Sequence, residues 1–253
     1  MQIKFIWPIN VFFLKETKST NKFSKKYLDQ ILFYFKNWII IKSEYQTNGK
    51  GQSGNWFSEY GKNLTFSLIF KPKKIYDSYI INIIISNAIH KFLSKKLNYP
   101  VWIKWPNDII INNKKIGGIL IENNFISKKI YISIVGIGIN IKQKKFNKNW
   151  NSTSLKNIFN NINFDINHIL YNITFFIQKE YLLFITNGKN IIKQYYIHYL
   201  YLKDKMSNFF SFKEKISFCG VIKSIDKKGF LLIEVNGKLK SFYQKEIKFF
   251  IKN

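Results

Sequence analysis

A chain of 253 residues that is 46% hydrophobic is long enough to bury one sizeable core and a small second unit. Its formal charge of +27 comes from 41 lysines and no arginine against 14 acidic residues. The lysines are spread along the whole chain, whereas a nucleic-acid footprint is clustered and favours arginine forks, so composition points away from that class.

The single cysteine, Cys219, excludes an internal disulfide and suits a reducing cytosol, and its thiol is expected as a small buried apolar group. His90, His168 and His198 lack metal-ligand spacing. The opening stretch "FIWPINVFFL" is too short to cross a bilayer and carries no cleavage-site pattern, so a soluble protein is expected. Ser19-Thr20-Asn21 are capping residue types, and Phe23, Tyr27, Leu28, Ile31, Leu32 and Phe35 follow at helical spacing, which predicts one helix. Trp38 to Glu44 reads as a strand.

Next comes Gly49-Lys50-Gly51-Gln52-Ser53-Gly54, which has the spacing G-x-G-x-x-G. A dinucleotide turn needs a helix directly after it, and here Asn63 to Phe70 reads as a second strand instead. A glycine-rich loop bearing a lysine between two strands still suits an anion, through exposed backbone N–H groups, as well as an ordinary surface connection.

Ile75 to Leu97 reads as a core helix, interrupted by Asn82, Ser86, Asn87 and His90. Val101 to Lys104 and Ile109 to Ile111 read as strands, Trp105-Pro106-Asn107-Asp108 as a break, Asn112-Asn113 as a hairpin turn and Ile116 to Glu122 as the return strand. Lys129 to Ile141 is a largely buried strand in which Gly136 and Gly138 permit close approach of a backbone or ligand. Two helices follow, near Ile166 to Phe184 and Ile191 to Leu202. From about Asn208, short alternating strands with turns at Asp226 to Gly229 and Asn236-Gly237 suit a small β-barrel.

Five segments in fixed order, "STN", "YQTNGKGQSGNWFS", "GKNLTFSLIF", "VWIKWPNDIIINNKKIGGILIE" and "VGIGINI", resemble the biotin protein ligases, and "GVIKSIDKKGFLLIEVNGKLKSF" is similar to that family's C-terminal barrel. The resemblance implies an α+β fold, a mixed β-sheet packed against helices of the class II synthetase-like kind, over residues 1–207, with an SH3-like β-barrel over 208–253. It implies an enzyme that joins biotin and ATP into biotinyl-5'-AMP with loss of pyrophosphate. The biotin then passes to a lysine of the biotin carboxyl carrier protein of acetyl-CoA carboxylase. Magnesium is implied by the nucleotide chemistry, with Asp108 as a weak ligand candidate. Some members carry an N-terminal DNA-binding unit, for which the residues before Ser19 leave no room, so no DNA partner and no repressor activity are expected. A cytoplasmic enzyme without membrane attachment is implied, and pairing of two copies through an exposed strand stays open.

Carried over residue by residue, the resemblance assigns Lys104 of "KWPND" to catalysis, beside the biotin carboxylate and the α-phosphate. Ser19, Thr20, Asn21 and Gln46 would read biotin's ureido end, with Lys50, Gly51, Gln52 and Gly118 also on the biotin side. Gly49, Lys50, Gly51, Gln52, Trp56, Asn107, Asn140 and Trp150 would hold the nucleotide, the glycine loop closing as a lid. The family usually writes arginine on both sides of Gly51, where this chain has Lys50 and Gln52. One forked cation becomes a point charge and the other is lost, which implies a weaker grip on the adenylate. Two other readings compete: a lipoate or octanoate ligase or transferase of the same fold, and a basic nucleic-acid-binding protein.

Overall fold

The computed structural model describes residues 3–35, 37–51, 54–56, 58–73, 75–147 and 150–250, the side chains of 54–56 excepted. The chain forms β1 (Asn10–Thr17), α1 (Thr20–Lys26), α2 (Leu28–Tyr34), β2 (Ile39–Gln46), β3 (Gly49–Gly51), β4 (Gly54–Trp56), β5 (Leu64–Phe70) and α3 (Ser78–Leu97). It continues with β6 (Trp102–Lys104), β7 (Asp108–Ile111), β8 (Lys114–Ile126), β9 (Lys129–Ile139), α4 (Leu155–Ile158), α5 (Ile166–Asn187) and α6 (Lys189–His198). The last segment contributes β10 (Met206–Ser211), β11 (Ile216–Ile225), β12 (Leu231–Val235), β13 (Lys238–Phe242) and β14 (Ile247–Phe249).

Seven strands make a mixed sheet in the order β1-β2-β5-β9-β8-β7-β6, with β1 and β2 parallel and the other neighbours antiparallel. Strand alternation sends Ile40, Leu68 and Val135 into the main core with α3 and α5, while Ile39, Ile41, Ile69, Ile132 and Ile134 join Leu28 in a second core on the opposite face. The α+β class is as expected. Asn112 and Asn113 make the β7–β8 turn with φ of 49° and 61°, the doubly left-handed geometry that asparagine tolerates in a two-residue hairpin.

The C-terminal strands form an antiparallel sheet in the order β13-β12-β11-β10-β14, and no ladder among the described residues joins β13 to β14. The expected barrel is therefore seen as a five-stranded sheet. Its buried Phe209, Ile222, Leu231 and Ile233 belong to the same core as α3 and α5, so the two sheets share one apolar interior.

Several local expectations need correction. The opening apolar stretch contributes an edge strand, β1, whose half-exposed pattern and parallel partner cannot be read from local period. The single helix after Ser19 is two short ones, broken at Tyr27. The long helix starts at Ser78, three residues later than its apolar run, and α4 was not anticipated. The glycine segment is a hairpin, with Gly49 opposite Trp56 and Gly51 opposite Gly54. Cys219 is exposed, its thiol donating to Asn208 Oδ1 at 3.0 Å, because it lies on the outward face of β11.

Candidate active site

On the α1 face of the large sheet the register aligns one row of residues across six strands: Ser43, Thr65, Gly138, Gly118, Asp108 and Lys104. Its two central members have no side chain, so the sheet is open in the middle and polar at its ends. A parallel row runs through Ser67, Gly136 and Leu120. Above them lies a cavity of about 960 Å³, roofed on one side by residues of the C-terminal sheet. Ser19, Thr20, Asn21, Gln46, Lys50, Gly51, Lys104, Asn107, Gly118, Asn140 and Trp150 all line it, so eleven predicted site residues from separate segments meet in one place. Gly49 is buried in β3 but does not line the cavity. Gln52 and the side chain of Trp56 lie outside the described residues.

At one end, Ser19 is the N-cap of α1 in extended conformation, yet its hydroxyl makes no capping bond. The capping role passes to Gln46, whose Oε1 accepts from the Thr20 amide at 2.7 Å and from the Thr20 hydroxyl at 3.1 Å. Among the described residues the Ser19 hydroxyl and the Gln46 amide nitrogen have no hydrogen-bond partner, in a corner where both residues are buried. Asn21, assigned as a ligand reader, lines the cavity and is also held by the protein. Its Oδ1 accepts from Ser67 Oγ at 2.6 Å, and its amide donates to Glu122 Oε2 at 2.9 Å and Leu120 O at 3.3 Å. Both ends of that side chain are engaged by the protein, so it braces the corner.

At the other end, Lys104 and Lys115 flank Asp108. Lys115 is the closer, at 2.6 Å, and Lys104 stands 3.6 Å away. The Lys104 ammonium also lies 5.3 Å from the centre of the Phe249 ring. Lys115 and Phe249 were both missed in the sequence: one stands beside Lys114 in a chain full of lysines, the other lies 145 positions from Lys104. The "WPN" turn between β6 and β7 is held from several sides. Asn107, expected to touch the nucleotide, lines the cavity and donates its buried amide to Ile119 O. Asn82 Nδ2 and Tyr196 Oη donate to Pro106 O. Burial, and secondarily the Asp108 charge, push the Tyr196 phenol well above its ordinary range, so it serves only as a neutral donor. Asn140 donates Nδ2 to Thr153 O at 3.0 Å.

Among the described residues, five lysines, Lys50, Lys104, Lys115, Lys245 and Lys248, line the cavity against the single carboxylate of Asp108. Such a cavity attracts anionic ligands and resists an isolated metal cation. Among the described residues no cluster of three or more histidine, cysteine, aspartate or glutamate residues exists, and Asp108 already carries an ion pair. A magnesium ion held by the protein does not fit these donors.

A family model described as "Biotin/lipoate A/B protein ligase family" matches residues 13–140. The chain is 28% identical over 216 residues to "Bifunctional ligase/repressor BirA" of Bacillus subtilis (strain 168), covering 82% of this chain and 65% of that protein. It is 27% identical over 221 residues to the protein of the same name from Escherichia coli (strain K12), covering 81% and 64%. The chain thus spans slightly less than two thirds of the length of these relatives. Among solved structures, "Biotin protein ligase from Aquifex aeolicus in complex with biotin and ATP" superposes with a TM-score of 0.79 at 22% identity, covering 96% of this chain and 99% of that one. At that identity the likeness establishes a shared fold.

Proposed function

The chain belongs to the biotin/lipoate A/B protein ligase family, and from that membership we propose that it is an ATP-dependent biotin protein ligase. The observation that carries this reading is the single cavity with a polar reading corner at Ser19, Thr20 and Gln46 and a cationic end at Lys104 and Lys115. A small carboxylic acid with a polar ring suits that layout: the ring meets hydroxyl and amide groups and the carboxylate faces the lysines.

In the first step a biotin carboxylate oxygen attacks the α-phosphorus of ATP, and the bond to the β-phosphate oxygen breaks, releasing pyrophosphate. Two anions must approach each other, and Lys104 between them lowers that repulsion and the charge built up at the phosphorus. Lys115, held beside it by Asp108, adds a second cation to the same field. In the second step the neutral amine of a carrier lysine attacks the acyl carbon, and AMP departs. The hairpin β3–β4, with Lys50 and Gly51 on the cavity wall, is suited to cover the adenylate and keep water from it. Magnesium enters as part of the ATP substrate. The acceptor is a biotin carboxyl carrier protein, and the compartment is the cytoplasm.

Biotin-dependent exchange of labelled pyrophosphate into ATP tests the proposal, followed by transfer to a carrier domain. We expect exchange in the natural protein and its loss in Lys104→Ala. Exchange that responds to lipoate or octanoate and not to biotin would move the chain to the other activity of its family.

A further inference from the structure

We infer that Phe249 of the C-terminal sheet is a positioning residue for Lys104. This rests on the reading of Lys104 given above.

Lys104 is a flexible side chain at the last residue of β6. Among the described residues its ammonium makes no hydrogen bond, since Asp108 Oδ2 at 3.6 Å lies past hydrogen-bond length. Asp108 holds Lys115 through Oδ1 at 2.6 Å and pairs more loosely with Lys104 through Oδ2. The Lys104 ammonium also lies over the Phe249 ring, with the nitrogen 5.3 Å from its centre. An aromatic face attracts a cation without neutralising it. A carboxylate in that place would compete with the incoming biotin carboxylate and α-phosphate, whereas a ring leaves the charge available to them.

The ring is itself fixed. Phe249 is opposite Phe209 in the β10–β14 ladder and packs edge-on against its ring at 5.3 Å, and Phe209 is fully buried. The sheet carrying it is tied to the neighbour of the catalytic lysine, because Trp105 Nε1 donates to Gly229 O at 3.0 Å in the β11–β12 turn. Gly229 has φ of +84°, and a β-carbon there would sit 2.8 Å from Tyr79 of α3. The turn thus seats tightly beside the catalytic loop, and the position of Phe249 relative to Lys104 follows from that seating.

The test compares the full chain with Phe249→Leu, Phe249→Met, Phe249→Tyr and Lys104→Ala in biotin-dependent pyrophosphate exchange, with thermal unfolding and biotin binding measured alongside. The leucine and methionine variants should lose roughly three- to tenfold in kcat with KM for biotin unchanged, and the tyrosine variant should stay within about twofold of the natural protein. Full kcat in the leucine and methionine variants overturns the inference. So does an equal loss in all three Phe249 variants that tracks their thermal midpoints, because that is a packing effect. Absent exchange in the natural protein, or full exchange in Lys104→Ala, would instead overturn the functional reading beneath it.

Discussion

Asn21 lies so close to Gly136 that a β-carbon on the glycine would come within 2.6 Å of the asparagine Oδ1. The contact lets α1 settle onto β9 and brings Ser19 and Thr20 to the cavity. Gly136→Ala should therefore displace Asn21 from Ser67 and Glu122, with a loss of about 1–3 kcal/mol from overpacking. Biotin affinity should fall roughly tenfold as the reading corner shifts. Calorimetry with biotin alone checks this, and unchanged affinity would mean that Asn21 does not set the corner.

Lys115 is predicted to matter nearly as much as Lys104, although its chain neighbour Lys114 is exposed and lies outside the cavity lining. Lys115→Ala removes one of two cations and leaves Asp108 to draw Lys104 toward itself. Adenylation should slow by about 10²-fold, the usual scale for losing one preorganised charge contact. Lys114→Ala should be near normal; similar losses in both would indicate a general effect of charge.

Gly229→Ala combines a left-handed backbone with the collision against Tyr79, so it should destabilise the chain by about 1–3 kcal/mol. The change is far from the biotin corner. Loss of thermal midpoint with intact biotin affinity is the expected pattern, and an unchanged midpoint would show that the turn does not clamp the C-terminal sheet.

His90 links stability to pH. It is buried on α3, bonding through Nε2 to Val101 O and through Nδ1 to the Tyr195 hydroxyl, each at 2.8 Å, with Lys91, His198 and Tyr199 nearby. Burial, chiefly, lowers its pKa from 6.5 to about 4. Between these values the unfolded chain binds the proton and the folded one does not. Stability should therefore hold above pH 6.5 and fall as pH drops toward 4, by up to about 1.4 kcal/mol per pH unit. Urea unfolding across that window should show a flatter slope in His90→Gln, and an unchanged slope would assign the loss to other groups.

The loop chemistry gives a further prediction. The resemblance implies that an arginine normally stands where this chain has Gln52, so activated biotin should escape onto bystander amines, and Gln52→Arg should reduce that labelling. Equal labelling by both proteins would count against it.

The segments that line the cavity were legible through the family resemblance, whereas local chemistry along the chain was enough for most strands and helices, the Asn112-Asn113 turn and the absence of a helix after Gly54. These depend on neighbours a few positions apart, where side-chain period and backbone preference act. Long-range packing decided what local period cannot encode. The pairing of β1 with β2, the capping of Thr20 by Gln46, the choice of Lys115 over Lys114, the engagement of Asn21 and Asn107 within the protein, and the placing of Phe249 over Lys104 all follow from strand register and from how two sheets share one core. A shift of one residue in any ladder sends a side chain to the opposite face, so these juxtapositions exist only once the whole sheet has formed.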